Sequence, residues 1–315
     1  MITAALLTAV VWLLIAGCGP GLARRLPPAV AVRLLVSCGV VVAASTLAVG
    51  AMVAFTWIAQ LPEVIEFGPW SGAVLRASAP VSWVVAVGCA VAVAAGAAHG
   101  ALVAAGRLRS IWAVRRACAD LAVADGLVVL TSDSPEAFST PPPNGRVVVS
   151  TALLRGLTVA QRRAVLAHET SHLTHGHVWW VLVADMAAAV NPLLRPNAHV
   201  VDLAVERWAD EDAAIQVADR RLVARTLATT ALLTRETRAR RAALAAATGS
   251  VPHRVAALLD PAPRIRAVPV ALLAALLLAS GVGSALVQRR ADDLLDHAQI
   301  PVVARHSGDQ HSRSR

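Results

Sequence analysis

The sequence of 315 residues contains no lysine and no tyrosine, and only 3% of it is aromatic, as eight Trp and three Phe. Charged residues make up only 16%. Without lysine, the formal net charge of +9 is carried by arginine alone. Beside abundant Ala and Val, that bias looks like coding composition rather than a nucleic-acid surface. No direct nucleic-acid partner is expected, and each arginine has to be read by its position. Cysteine is also scarce. Cys18, Cys38 and Cys89 fall in or beside apolar runs and Cys118 stands alone, with no Cys-x-x-Cys. This excludes a disulfide framework and a thiolate metal site and leaves small buried hydrophobes. Leu14-Ile15-Ala16-Gly17-Cys18 has the look of a lipoprotein cleavage box, but no basic residue precedes it and Arg24 and Arg25 come after it. The first apolar run is therefore expected to stay as an uncleaved span.

Hydrocarbon takes the place of charge. The chain is 57% hydrophobic with a mean hydropathy of +0.61, far more than one soluble core needs. Runs long enough to cross about 30 Å at about 1.5 Å per residue lie near 2–18, 34–59, 81–105 and 268–287. The expectation is a polytopic protein of the lipid bilayer, in the plasma membrane. Three transmembrane helices occupy 1–105, a compact domain 106–266, a fourth helix 267–288, and a short disordered polar tail 289–315. Arg24, Arg25 and Arg33 separate the first two runs, and Arg107, Arg109, Arg115 and Arg116 come after the third. The loop 61–79 carries Glu63, Glu66 and only Arg76. The positive-inside rule then puts both termini outside and 106–266 in the cytoplasm, with Trp57, Trp70 and Trp83 as an outer aromatic belt.

Within 106–266, the β-branched runs GLVVL (126–130) and RVVVS (146–150) flank Pro-, Ser- and Gly-rich turn material, which predicts a small β-hairpin. Thr158 with Gln161 three residues on forms a capping box, and Val165, Leu166, His172 and Leu173 recur at helical spacing, predicting a helix over about 159–177. Further helices are predicted near 198–218 and 220–247. Residues 178–194 are long and apolar enough to be mistaken for a span. A single crossing there would leave the 159–177 and 198–218 helices on opposite sides of the bilayer, so the segment is read as a helix that dips into the membrane or packs on the spans, turning at Asn191-Pro192.

The predicted 159–177 helix carries His168-Glu169-Thr170-Ser171-His172. Positions four apart on a helix are about 40° from alignment, so both imidazoles face one way and can bind one ion. Glu169, beside the first histidine, is placed to reach water on that ion rather than the ion itself, as in zinc peptidases. The pattern needs a third ligand. The continuation HExxHxxGxxH fails, because His175 and then Gly176 come next. His175, His177 and Asp185 remain as alternatives, the first two otherwise read as helix-end residues. Glu206 stands out, because Glu206-Arg207-Trp208-Ala209-Asp210 puts a second carboxylate one turn on, able to accept the other N–H of a ligand histidine and fix its tautomer.

With HETSH (168–172), ERWAD (206–210) on an ExxAD pattern, and PEAF (135–138) leading to RVVVSTALLRGLT, the sequence resembles the integral-membrane gluzincins. These are the BlaR/MecR-type peptidases, with the HtpX proteases and CAAX-prenyl endopeptidases as relatives. The likeness covers roughly 120–260. It implies a mainly α polytopic protein with a zincin-like α+β cytoplasmic domain and one Zn²⁺ per chain. His168, His172 and Glu206 would be the ligands, Glu169 the catalytic base, and Asp210 the carboxylate behind a ligand. It also implies proteolysis of a protein substrate, such as a BlaI/MecI-like repressor. An HtpX-like quality-control protease and a non-proteolytic receptor or scaffold with a structural metal are the alternatives. Only residues 288–315 lie beyond the last apolar run, so the extracellular penicillin-binding sensor of the BlaR/MecR layout is not expected.

Overall fold

The structure is a computed structural model and describes residues 2–65, 70–78, 81–119, 121, 126–141, 144–240 and 250–298. Four long helices dominate: α1 (Ile2–Ala23), α2 (Pro28–Ile58), α5 (Trp83–Ala117) and α12 (Ala267–His297). Two short ones, α3 (Pro62–Ile65) and α4 (Gly72–Ser78), lie in the loop between α2 and α5. Pro28 opens α2 at no cost, because the first-turn N–H it lacks would have no partner. Ser82 caps α5 by accepting from Val85 N. Each long helix is apolar over a membrane-crossing length: Leu6–Ala23, Pro28–Ile58, Trp83–Ala117 and Ala267–Leu294. Leu6, Leu13, Trp83, Val91, Leu278 and Val282 point outward from them, more apolar surface than water tolerates. The chain is a multi-pass membrane protein. Two helices overrun the predicted limits. α5 continues to Ala117, carrying the arginines after 105 on the same rod. α12 continues to His297, so the tail expected to be disordered from 289 begins as helix, and its remainder, 299–315, lies outside the described residues.

The predicted hairpin of 126–130 with 146–150 is corrected. β1 (Leu127–Leu130), β2 (Ala137–Ser139) and β3 (Val147–Ser150) form one sheet in the order β1-β3-β2. β1 runs parallel to β3, pairing Val128 with Val148, and β2 runs antiparallel to it, pairing Phe138 with Val148. The connection is long enough to hold a strand of its own, and that strand, not β1, makes the hairpin with β3. Fully buried β3 is the central strand, as its β-branched run suits. Ser150 ends it and caps α6 (Thr151–Gly156) by accepting from Leu153 N.

α7 (Val159–Thr174) opens with the capping box that the spacing predicts: Thr158 accepts from Gln161 N and the Gln161 side chain accepts from Thr158 N. It stops short of 177, because Gly176 adopts φ +58, a backbone state that residues with a Cβ avoid. α8 (His177–Val190) starts afresh there, and a 3₁₀ turn (Pro192–Leu194) links it to α9 (Arg195–Val217). α8 packs on α2 and α5. A Cβ on Gly96 of α5 would lie 2.9 Å from the carbonyl oxygen of Val190, so the end of α8 approaches as closely as it does only because Gly96 has none. The turn is tied to the interior of two long helices: Asn191 Nδ2 donates to Thr46 Oγ1 of α2 at 3.0 Å, and Asn197 Nδ2 to the Ile15 carbonyl of α1 at 3.3 Å. α8 thus leads into the bundle and α9 leads back, returning Glu206 to the end of α7.

α10 (Arg220–Arg240) and α11 (Val251–Leu259) complete the domain. The predicted continuation of α10 over 241–247 lies outside the described residues, and α11 has no counterpart among the predicted helices. Ala164 and Ala167 of α7 meet Ala213 and Ala214 of α9 in a buried cluster closed by Val223, Ala224 and Leu258. Small side chains there bring the two helix axes close, so the larger side chains further along can converge.

Candidate metal centre

His168 and His172, one turn apart on α7, point their Nε2 atoms at the same space, 3.1 Å apart. From α9, Glu206 presents Oε2 at 3.8 Å from His168 Nε2 and Oε1 at 3.7 Å from His172 Nε2. One donor atom from each of the three lies within 4.8 Å of the others, the arrangement that can hold a metal ion. Ligands bound at about 2 Å to a tetrahedral ion sit a little over 3 Å from one another, so the donor set and its spacing fit a zinc-sized ion of nitrogen and oxygen preference.

Behind this trio stands a buried charge network. Asp210, 2% exposed, places Oδ1 3.1 Å from His168 Nδ1. The contact is off the line of an N–H donor, leaving that nitrogen buried without an aligned partner. Arg254 grips both oxygens of Asp210, with Nε to Oδ2 at 2.8 Å and Nη2 to Oδ1 at 2.7 Å, and reaches Glu206 Oε2 with Nη1 at 2.8 Å. It comes from α11, and sequence reasoning missed it. Its only cue is a single arginine in the apolar stretch VPHRVAALL, 44 residues from Asp210.

Burial and charge set the protonation pattern. For His168, burial pulls the pKa down, but the close contact with the Asp210 carboxylate and the charges of Asp210, Glu169 and Glu206 outweigh it, and the net shift is upward. His172 is pushed down to about 2, first by burial and then by the neighbouring His168 and His177 rings. The two rings meet through Nε2, so each disfavours charge on the other, and the upward shift falls on His168, the ring beside Asp210. Burial raises the Glu169 carboxyl and Glu206 adds to it, against the pull of His168, Arg254 and Ser139 of β2. Asp210 is buried, which raises its pKa, yet Arg254 and His168 bring the net below the usual carboxylate range.

The other predicted ligands go elsewhere. Asp185 pairs with Arg107 of α5 at 2.5 Å, and His175 Nε2 lies 2.9 Å from Asp212 Oδ2, which also accepts from Ser171 Oγ. His177 is no exposed helix end: it is 1% exposed, with Nδ1 2.9 Å from His172 Nδ1 and the Trp208 ring against it. Two cavities open on Glu206. One of about 280 Å³ runs past His172 between Ser139 and Thr140, Ile111 of α5, and Val178, Val181 and Leu182 of α8. The other, about 980 Å³, lies between the α1–α2 junction, α9 and α11.

No curated protein and no solved structure matches the chain. Residues 107–256, which carry HETSH, Glu206, Asp210 and Arg254, match Peptidase family M48. With the four membrane-length helices around that stretch, the likeness supports a membrane metallopeptidase of the broad M48 family.

Proposed function

We propose that the protein is a zinc-dependent endopeptidase that hydrolyses peptide bonds of a protein substrate at the cytoplasmic face of the plasma membrane. The observation that carries the reading is the convergence of His168, His172 and Glu206 with Glu169 next to the first of them. These three residues would hold one Zn²⁺. When bound, the ion would supply Lewis acidity and lower the pKa of water towards ~7. Asp210 faces His168 Nδ1, which favours a proton there and a lone pair on Nε2. Glu169, with a buried carboxyl whose pKa is raised, is suited to take a proton from water and return it to the leaving amine. Arg254 pairs with the carboxylates of Asp210 and Glu206, so that Asp210 is not buried as a lone charge.

The domain limits 1–105, 106–266, 267–288 and 289–315 rest on the apolar runs, which α5 and α12 overrun as helix, and the cytoplasmic site with both termini outside rests on the arginine distribution. A regulatory role on a BlaI/MecI-like repressor rests on the likeness in motif and layout. A second substrate reading, quality control of membrane proteins, draws on the smaller cavity, whose apolar walls belong to α5 and α8, helices of the membrane bundle. A structural-metal scaffold would need a fourth protein ligand in place of an open position. Among the described residues the candidate group has three.

Comparing the proteomes of wild-type and Glu169→Gln cells tests the reading. An accumulating cytosolic DNA-binding protein supports the repressor role, and accumulating membrane proteins support quality control. Purified Glu169→Gln protein that still cleaves casein would sink the peptidase reading.

A further inference from the structure

We infer that His177 is a positioning residue of the proposed metal centre: its Nδ1 accepts the Nδ1–H of His172 and so holds His172 in the tautomer whose Nε2 is free for the ion. The inference rests on the reading of His172 as a ligand.

A neutral imidazole carries one N–H, and the two Nδ1 atoms, 2.9 Å apart, have room for a single proton between them. His172 Nε2 faces His168 Nε2 and Glu206 Oε1. To offer a lone pair there, His172 must carry its proton on Nδ1 and donate it to His177. His177 then keeps its own proton on Nε2, an atom that is buried and has no hydrogen-bond partner among the described residues. A polar ring is thus shut away with one end unsatisfied while the other end meets a candidate ligand. A buried orphan of this kind calls for an explanation, and orientation of His172 supplies it.

The chain is built to make the contact. On an unbroken helix, a residue five positions on would point about 140° away from His172. The left-handed turn at Gly176 ends α7 and starts α8 in a new direction, which swings His177 back onto the ring. Trp208 at 4.8 Å and His175 at 5.7 Å between ring centroids then wall it in. The two candidate ligands are backed by different chemistry: His168 by the Asp210 carboxylate, His172 by a neutral ring that orients without adding charge.

The test uses the full chain in detergent, with zinc affinity read by chelator competition in His177→Asn, His177→Gln and His177→Leu. The Asn side-chain oxygen falls where Nδ1 sits, whereas the Gln oxygen reaches the Nε2 position. His177→Asn is expected to bind within about threefold of wild type, and the Gln and Leu variants roughly 10- to 100-fold more weakly, the range for losing a group that orients a ligand. Equal zinc affinity in His177→Leu and wild type would overturn the inference, as would His177→Asn as weak as His177→Leu. If thermal unfolding shows the Leu variant to be misfolded, the Asn and Gln pair decides: retention by Asn with loss by Gln supports the role, and equal affinities overturn it. A different failure marks the underlying reading. If His172→Ala binds zinc as well as wild type, the metal site itself falls, and this role with it.

Discussion

The half of the molecule with the candidate metal centre and the helical bundle that carries it handle polar groups differently. Around α7, α9 and α11, Asp210, Glu206, Arg254 and two histidines are concentrated in one partly dry network, each in contact with at least two others, with Glu169 beside them. Within the bundle an ion pair, Arg107 with Asp185, is joined by hydrogen bonds between neutral side chains of neighbouring helices. Ser284 meets Ser45 at 2.6 Å, and Asn191 meets Thr46. The difference teaches where function sits. Helices in lipid associate without a hydrophobic drive and use small and hydroxyl residues for close packing, whereas ionisable groups buried beside a membrane are costly, pair with one another and mark candidate functional sites.

The largest effects should come from the reacting centre. Glu169→Gln is expected to retain zinc while lowering cleavage of casein by at least ~10²–10⁴, the contribution of general base catalysis. His168→Ala and His172→Ala should lose zinc itself, as measured by elemental analysis. Retained activity in the first, or full zinc occupancy in the double histidine variant, would erase the contrast between the halves.

Next in size, Arg254→Met leaves Asp210 as an uncompensated buried charge, and should cost roughly 3–5 kcal/mol of stability, read as a fall in the unfolding midpoint in detergent. Arg254→Met combined with Asp210→Asn should recover much of that loss. No recovery would mean that the arginine acts by packing rather than by charge.

Asp210→Asn alone should weaken zinc binding by about 10- to 100-fold, because a neutral amide orients His168 less firmly. It should also change the pH profile of the metal-free protein. The Asp210 pKa is lower folded than unfolded, so its stabilisation is fully present above the ordinary carboxylate value of about 3.9. It is lost as pH falls through the depressed folded value. Wild type should therefore lose stability over that acid window, and Asp210→Asn should lose less. Parallel acid profiles would contradict the assignment.

The smallest effect sharpens the comparison from the other side. Ser284→Ala removes one interhelical hydrogen bond from the bundle and should cost only about 0.6 kcal/mol, with zinc content and cleavage unchanged.

Local spacing made much of this legible. Four apolar runs gave four span-length helices, because hydropathy is a property of contiguous residues. The Thr158–Gln161 box placed the start of α7, because both partners lie within one turn. His168, His172 and Glu206 were named from spacing and pattern, and the structure brings their donor atoms together. Arg254 was not legible as part of the site, and His177 entered only as an alternative ligand, not as a partner of His172. Arg254 meets Asp210 only because α11 folds across α9. His177 reaches His172 only because Gly176 turns the chain, whereas its spacing reads as the end of the 159–177 helix.

The sequence by itself determined a polytopic chain with a His-Glu-His helix and a downstream carboxylate pair, because periodicity, capping and span length depend on neighbours. Only the tertiary structure decided that β1 lies parallel to β3, that Asp185 pairs with Arg107 rather than joining the site, and that α8 and α9 pack back to back so that Glu206 returns to α7. Those outcomes depend on which distant surfaces meet, and they are settled by side-chain volumes such as the absent Cβ of Gly96 and the paired alanines of α7 and α9, which act across space rather than along the chain.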